Sequence, residues 1–572
     1  MTLGPSLASH AFEEDAPQSV RMNVTVDIGS LSIGLDGRAR YYGETAGSED
    51  YDQPTRKIRD PKYLGLPYEI LELVHSFPFG LRECPYTKYE FTNFIPPRER
   101  AEQVAELYYT HAAWMYNVVP RADLKRTILD PIYGVGNNDI SLASVHSHRI
   151  SLFFMVLATG IFYDDHPSAS IMAEQYSALA YAAYSLDSIS QEATTASVQA
   201  MFSMCFFVYL TDRSNNEMRW LLSGLAARVA LVVRRDSSGW NLDKEEVQRR
   251  RVMFWELYHW DAWSSVVSGR PPALNLGHTD CRFPDDIDPY VKPNGEVEMS
   301  LHSWKARYGA VILSASVQRA FAIHGSNYAS LLELDKRIRT FPVPPHLQSP
   351  SESAEPGRGW NADPSRAMQQ FCILCERESN LLYIHRSYLA QAMRELPKDP
   401  LGHRFSASVM AAYRSSCRLI SALRSCYTAY PKMTGRVWFF WSGVFSACVV
   451  LGAIVIESPG CTLAQSALTD IDSARTFYDE GSKLCRPPLT LATLDKLQER
   501  AHRVFNEYHA KLRLGDPTPS ARTQGTSDQP DELEVLKGRK SVINRSPSTS
   551  PNSSSAASPA SQPNLSNAVH NG

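Results

Sequence analysis

The chain has 572 residues, 43% of them hydrophobic and 10% aromatic, with a formal net charge of −3 at pH 7. The length suits several domains or one extended helical array around a large core. So small a net charge sets up no field that would pull the whole chain onto nucleic acid, so any DNA contact needs a local basic module. The ten cysteines are scattered, and the first residues lack the basic region and apolar run of a secretory signal. Reduced, mostly buried thiols in an intracellular compartment are therefore expected.

Residues 1–60 read as mostly disordered, with one ordered piece. From Leu31 to Gly43, LSIGLDGRARYYG alternates weakly and is punctuated by glycine, as a short strand or surface hairpin would be. From Pro61, PKYLGLPYEILELVHSFPFG is an apolar patch broken by prolines, which predicts a short helix leading into a domain. Helical periodicity then runs from Arg98 to Ile128, with Trp114 and Tyr116 as core residues. Gly134 and Gly136 invite a nucleotide-loop reading, but Asp139 stands where the third glycine belongs and no strand precedes them, so a plain loop is expected.

From His146 to Asp187 the pattern predicts two helices around a break at Asp164-Asp165-His166-Pro167. Two more are predicted over residues 193–235, joined near Asp212 to Asn216. No repeat of fixed period emerges, so helical hairpins of unequal length are expected rather than a regular solenoid.

The stretch from Trp240 to Asp286 organises the rest. Asp243 can accept from the free N–H groups of a helix N-terminus, with Glu246 three residues on. Gly269 closes the far end, and Pro271 and Pro272 forbid continuation. Val247, Phe254, Leu257, Tyr258 and Val266 recur at helical spacing while Met253, Trp255, Trp260 and Trp263 occupy the other faces. A helix apolar nearly all round is enclosed by neighbours. Arg249, Arg250 and Arg251 on it read as ion-pairing residues rather than phosphate contacts. Asp261 is expected to pair with Arg251 or Arg270, because an unpaired buried charge is strongly disfavoured. The rival reading puts Glu256 and Asp261 on the lining of an effector pocket.

Arg249-Arg250-Arg251, Phe254-Trp255-Glu256, Asp261, Gly269-Arg270-Pro271-Pro272 and Pro284-Asp285 resemble, in this order, the signature of the fungal-specific transcription factor domain. That domain is the helical regulatory region of fungal binuclear zinc-cluster regulators. Residues 224–230 with Arg235, Asp236, Ser237 and Trp240 are similar to the segment that precedes the signature, and residues 109–117, YTHAAWMYN, to the domain's opening. The resemblance is strong from Tyr108 to Pro289 and weaker to Leu512. It implies an all-α regulatory domain, a nuclear location and control of RNA polymerase II transcription, of metabolic genes. Promoter DNA, the transcription machinery or co-regulators, a small-molecule effector and a second copy of the chain are the implied partners, with dimerisation left open. Zinc would enter only through an N-terminal six-cysteine cluster. No cysteine precedes Cys84, and the lone Cys-x-x-Cys, Cys372 with Cys375, reads as two small apolar residues on a helix face. No cofactor or metal is therefore assigned to this chain, and a regulator that works through partner proteins is the alternative.

After the signature, residues 284–298 form an acidic, proline-containing loop, and helices resume from Leu301 to Arg339. Residues 342–366, rich in proline and serine, are expected to be a flexible linker. A second helical block follows to Leu514, and residues 515–572 read as a disordered tail. The organisation expected is thus 1–60, a regulatory domain over 61–341, the linker, a helical block over 367–514 packing on that domain, and the tail. Val437 to Ile456 is uncharged and long enough to span a bilayer, but its interspersed serine, glycine and alanine suit packing between helices, so a core helix is preferred over a single membrane span. The motifs of zinc proteases, serine hydrolases and phosphate-binding loops do not occur, which leaves an enzyme reading without residues to carry it. Lys537, Arg539 and Lys540 could form an import signal, and Ser546, Ser550 and Ser558, each before a proline, are candidate phosphorylation sites.

Overall fold

The computed structural model describes residues 30–33, 39–42, 64–134, 140–212, 216–233, 241–322, 327–353, 357–484, 491–514 and 542–544. The basic and Ser-Pro sites of the tail lie outside them, as do Gly136, Asp139, Arg235, Asp236, Ser237 and Trp240. The described residues are overwhelmingly helical, as the sequence predicts.

Strands β1 (Ser30–Ile33) and β2 (Ala39–Tyr42) pair antiparallel, with Leu31 opposite Tyr41, at the position of the expected hairpin. Helix α1 (Tyr68–His75) precedes α2 (Arg98–His111). Two single turns follow, α3 (Arg121–Leu124) and α4 (Asp130–Tyr133), joined through a π turn over Lys125–Leu129. Then come α5 (Ser147–Phe162), α6 (Ala169–Tyr184), α7 (Thr195–Thr211) and α8 (Asn216–Val233). The two breaks fall where Asp164–Pro167 and Asp212 predicted them. Thr194 fixes the start of α7 through a capping box, its hydroxyl accepting from the Ser197 N–H at 3.0 Å while the Ser197 hydroxyl accepts from the Thr194 N–H.

The organising helix is α9 (Lys244–Ser268). A two-residue ribbon of β3 (Tyr290–Val291) and β4 (Val297–Glu298) interrupts the acidic loop after it. Next are α10 (Leu301–Tyr308), a second π turn over Gly309–Leu313, α11 (Ser314–Ala320) and α12 (Tyr328–Thr340). The later block holds α13 (Pro364–Glu395), α14 (Ser406–Ala429), α15 (Pro431–Arg436), α16 (Trp438–Glu457), α17 (Ala464–Ser482) and α18 (Ala492–Leu514). β5 (Val542–Asn544) adds to β1 in parallel.

Two helices are enclosed centres. α5 packs against α2, α6 and α7, and α16 packs against α13, α14, α17 and α18. Every residue of α5 but Arg149 is buried, so its apolar run is a core run. α16 is long and apolar enough to cross a membrane, yet 94% of its most apolar window is buried inside the protein, as a core helix would be. Small residues let its neighbours approach: Gly443 faces Cys375 of α13, and Gly452 faces Leu497 of α18. Between the two centres lies α9, which touches α7, α8, α10, α11 and α13. One continuous apolar core consequently runs from Ile70 to Phe505.

The segment expected as a flexible linker is seated on this core over residues 342–353. Its Pro342 carbonyl accepts from Trp304 Nε1 at 2.9 Å, the His346 carbonyl accepts from Gln370, and Glu352 pairs with Arg377. Leu347 is buried. A low apolar content hid these anchors, because two main-chain carbonyls have specific donors on other helices and one leucine is buried.

Candidate functional site

The site is built on α9. The Asp243 carboxylate accepts from the Glu246 N–H at 2.6 Å and fixes its first turn, and Gly269 ends it with φ at 66°, in the left-handed region that favours glycine. Pro271 and Pro272 carry no N–H, so the first donors after Arg270 are those of Ala273 and Leu274. Both donate to Asp261 Oδ2 at 2.8 Å.

This corrects the expected partner of Asp261. Main-chain donors hold its carboxylate, whereas Arg270 pairs with Glu217 Oε1 of α8 at 2.7 Å and lies over the Trp220 ring. The turn after Gly269 brings the chain back along α9, which places the two N–H groups against Asp261 and aims Arg270 at α8. Burial pushes the Asp261 carboxyl up to about 6, against the opposing pull of the two N–H donors.

The remaining signature residues hold α9 in place. Arg249 grips Asp123 of α3 with two bonds of 2.8 Å, and Arg250 donates to Glu246 at 2.8 Å, so ion pairing is the observed role of both. Arg251 is half-buried beside them. Phe254 is fully buried, and Trp255 donates to the Arg282 carbonyl at 2.8 Å with its ring against Phe283. The Gln248 side chain makes both amide bonds with the backbone of Asp285, which pins the loop carrying Pro284 to α9.

Glu256 is the negative centre of a buried charge cluster. Its Oε2 is 2.9 Å from Lys305 Nζ and its Oε1 is 2.5 Å from His302 Nδ1. Burial works against its charge, but Lys305 and His302 outweigh burial and hold the carboxyl down to about 2. Lys305 also donates to the Met115 carbonyl at 2.5 Å and sits 3.8 Å from the centre of the Tyr116 ring. Its charge is thus fully committed.

One turn further along α9, His259 Nδ1 faces the Lys305 carbonyl at 3.2 Å, and its Nε2 is 3.1 Å from Glu376 Oε1 of α13. A carbonyl only accepts, so Nδ1 carries a proton. The Nε2 contact to Glu376 is off hydrogen-bond geometry, and Glu376 Oε1 has no hydrogen-bond partner.

These groups line a cavity of about 110 Å³ between α7, α8, α9, α10, α13 and α16. Asp261, His259, Lys305, Glu376, Arg219 and Arg270 supply its charged and titratable side. Tyr116, Tyr209, Trp260, Trp263 and Trp438 form aromatic walls, and the half-exposed Trp220 stands at the rim. Of the residues picked out from sequence, Asp261 and Arg270 reach the cavity and Glu256 lies one layer behind Lys305. Arg249, Arg250, Arg251, Phe254, Trp255, Pro271, Pro272, Pro284 and Asp285 do not line it. Sequence reasoning missed Lys305, His259 and Glu376. The available signal was Glu376 itself, a charge one turn after Cys372 on the apolar face FCILCE. The arrangement suits binding: burial pushes the Cys372 thiol up to about 12, which leaves it un-ionised.

Residues 107–305 match the fungal specific transcription factor domain, a span that opens within α2 and closes at Lys305. Over 475 residues the chain is 22% identical to an uncharacterized transcriptional regulatory protein of Schizosaccharomyces pombe, covering 78% of this chain and 58% of that one. It is 24% identical over 285 residues to a second such protein of that organism, covering 48% and 34%. It is 21% identical over 417 residues to Activator of stress genes 1 of Saccharomyces cerevisiae, covering 68% and 41%. The chain therefore spans between 34% and 58% of the length of these relatives.

Proposed function

We propose, on the premise that residues 107–305 are a fungal specific transcription factor domain, that this chain is the regulatory part of a fungal transcription regulator. In this reading it acts in the nucleus on RNA polymerase II promoters of metabolic genes. The cavity beside α9 serves as the input.

One observation carries the reading: the domain does not close on itself. Its signature helix α9 shares the cavity with α13 and α16, which lie beyond residue 305. A ligand there touches both parts, and a difference in its affinity for two arrangements of those parts is what shifts their balance. DNA contact and zinc belong to the proposal for the whole protein, where a zinc cluster would hold the promoter. The alternative is recruitment through a DNA-bound partner.

The test fuses the full chain to a heterologous DNA-binding module upstream of a reporter in a fungal host. Reporter output that changes with carbon or nitrogen supply, and loses that change when Trp260→Ala alters the cavity wall, supports the reading. Output at background under every supply would sink it. A mobility-shift assay of the native full-length protein on promoter DNA separates direct DNA binding from recruitment.

A further inference from the structure

The cavity is rich in acceptors whose natural partners are missing and poor in free positive charge. Glu376 is 4% exposed, and its Oε1, though 3.1 Å from His259 Nε2, lies buried without a hydrogen bond of good geometry. Asp261 takes two main-chain N–H groups on one oxygen, and among the described residues no cation pairs with it. The Ser223 hydroxyl is likewise buried and unsatisfied. The nearby cations are committed, Lys305 to Glu256 and the Met115 carbonyl, Arg270 to Glu217, and Arg219 over the Tyr209 ring.

Aromatic rings present a negative face, which attracts a cation and repels an anion. Buried carboxylates without a cation are costly, and that cost is removed when a ligand brings charge-assisted N–H donors. An anionic ligand would place a third negative group beside Asp261 and Glu376.

We propose that this cavity binds a small organic cation, an ammonium group on an apolar body, with its N–H groups donating to Glu376 and Asp261. The apolar body lies among Trp260, Trp263 and Trp438, and Trp220 covers the entrance. This inference deepens the effector reading given above and rests on it for its regulatory meaning, but the binding site stands on its own geometry.

The experiment titrates the full chain with phenethylammonium, 2-phenylethanol and 3-phenylpropionate while following tryptophan fluorescence. The three probes share a body and differ in charge. Phenethylammonium is expected to saturate and to bind at least about tenfold more tightly than the alcohol, with the carboxylate weakest. Glu376→Gln and Asp261→Asn, which keep shape and an acceptor oxygen, are each expected to weaken the ammonium about tenfold and leave the alcohol nearly unchanged. Equal or tighter binding of the alcohol or the carboxylate, no saturable ammonium binding, or variants that bind the ammonium as well as the parent chain would each overturn the proposal. Its failure is distinguishable from failure of the regulatory reading. Ammonium binding with a reporter fixed at background removes the regulatory reading and leaves the site. A reporter that responds normally in the doubly substituted chain removes the ammonium site as its input and leaves the regulatory reading.

Discussion

Asp261 Oδ2 accepts the Leu274 N–H at 2.8 Å and thereby ties the middle of α9 to the chain that leaves it. The Ala273 N–H shares the same oxygen. Asp261→Ala leaves the N–H of buried Leu274 without an acceptor, whereas that of exposed Ala273 can turn to water. An unsatisfied buried donor costs about 1–3 kcal/mol, so a loss of roughly 1–3 kcal/mol is expected in urea unfolding. Asp261→Asn keeps an acceptor oxygen at that point and is expected to lose less than half as much. Equal losses for the two variants would show that the N–H bonds do not matter.

The same carboxyl predicts an unusual pH response. Its value in the folded chain, about 6, lies above the ordinary 3.8, so folding favours the protonated form. Its contribution to stability is therefore full below 3.8 and lost as pH rises through 6, on the order of 3 kcal/mol for this buried group. Glu256 runs the other way: held at about 2 against an ordinary 4.5, its contribution is present above 4.5 and lost as pH falls through 2. Between pH 4.5 and 6 Glu256 is silent, and the parent chain should gain stability over Asp261→Asn as the solution is acidified. Parallel stability curves for the two chains across that window would refute the assignment.

Removing one member of the Glu256–Lys305 pair should be severe. In Glu256→Gln the Lys305 ammonium, 3% exposed, loses its counter-charge and keeps only neutral acceptors, the new amide oxygen and the Met115 carbonyl, beside the Tyr116 ring. Stranding a buried charge costs about 3–5 kcal/mol, whereas removing both charges is often close to neutral. Glu256→Gln with Lys305→Met is therefore expected to be more stable than Glu256→Gln alone. Additive losses in that double-mutant cycle would rule out the coupling.

The helices were legible in sequence because their signals are local. Asp243 and Gly269 mark the ends of α9 without reference to the rest of the chain, and the aromatic residues on every face of that helix announce its burial. The site was only partly legible because its contacts are not local. Glu256 meets a lysine 49 residues away, and the Lys305 ammonium reaches the Met115 carbonyl across 190 residues. Asp261 was expected to find a guanidinium because charge complementarity is visible in sequence, while a main-chain donor delivered by a turn is not. The contacts within the expected linker were hidden in the same way, since the His346 side chain meets Glu298 and Tyr290 of the β3–β4 ribbon and Leu347 is buried.

The burial of α16 distinguishes a core helix from a membrane span. A lipid-facing glycine tolerates a larger residue, but a Cβ at Gly452 would stand 2.7 Å from Leu497 Cδ1, and one at Gly481 only 1.8 Å from the Trp441 ring. Gly481→Ala is expected to destabilise the chain by about 1–3 kcal/mol or more, since a rigid indole has little room to retreat. Carbonate washing of cell extracts should leave the full-length protein in the non-membrane fraction. Retention in the membrane pellet, with Gly481→Ala as stable as the parent, would favour the span.

Two glycines in helices should respond oppositely to the same substitution. At Gly160 of α5 a Cβ would meet the main-chain oxygen of Val104 in α2 at 2.2 Å, and that oxygen cannot rotate away as a side chain could. Gly160→Ala must push α2 from α5, and overpacking of this kind costs about 1–3 kcal/mol, with the upper end expected against backbone. At Gly224 of α8 nothing lies within 4 Å of the added carbon. There alanine restricts the unfolded chain and favours the helix, so Gly224→Ala should stabilise by about 0.4–1 kcal/mol. Urea unfolding of both variants reads the contrast directly. Stabilisation at Gly160 would mean that α2 and α5 do not approach as closely as described, and with it the packing around the α5 centre would need revision.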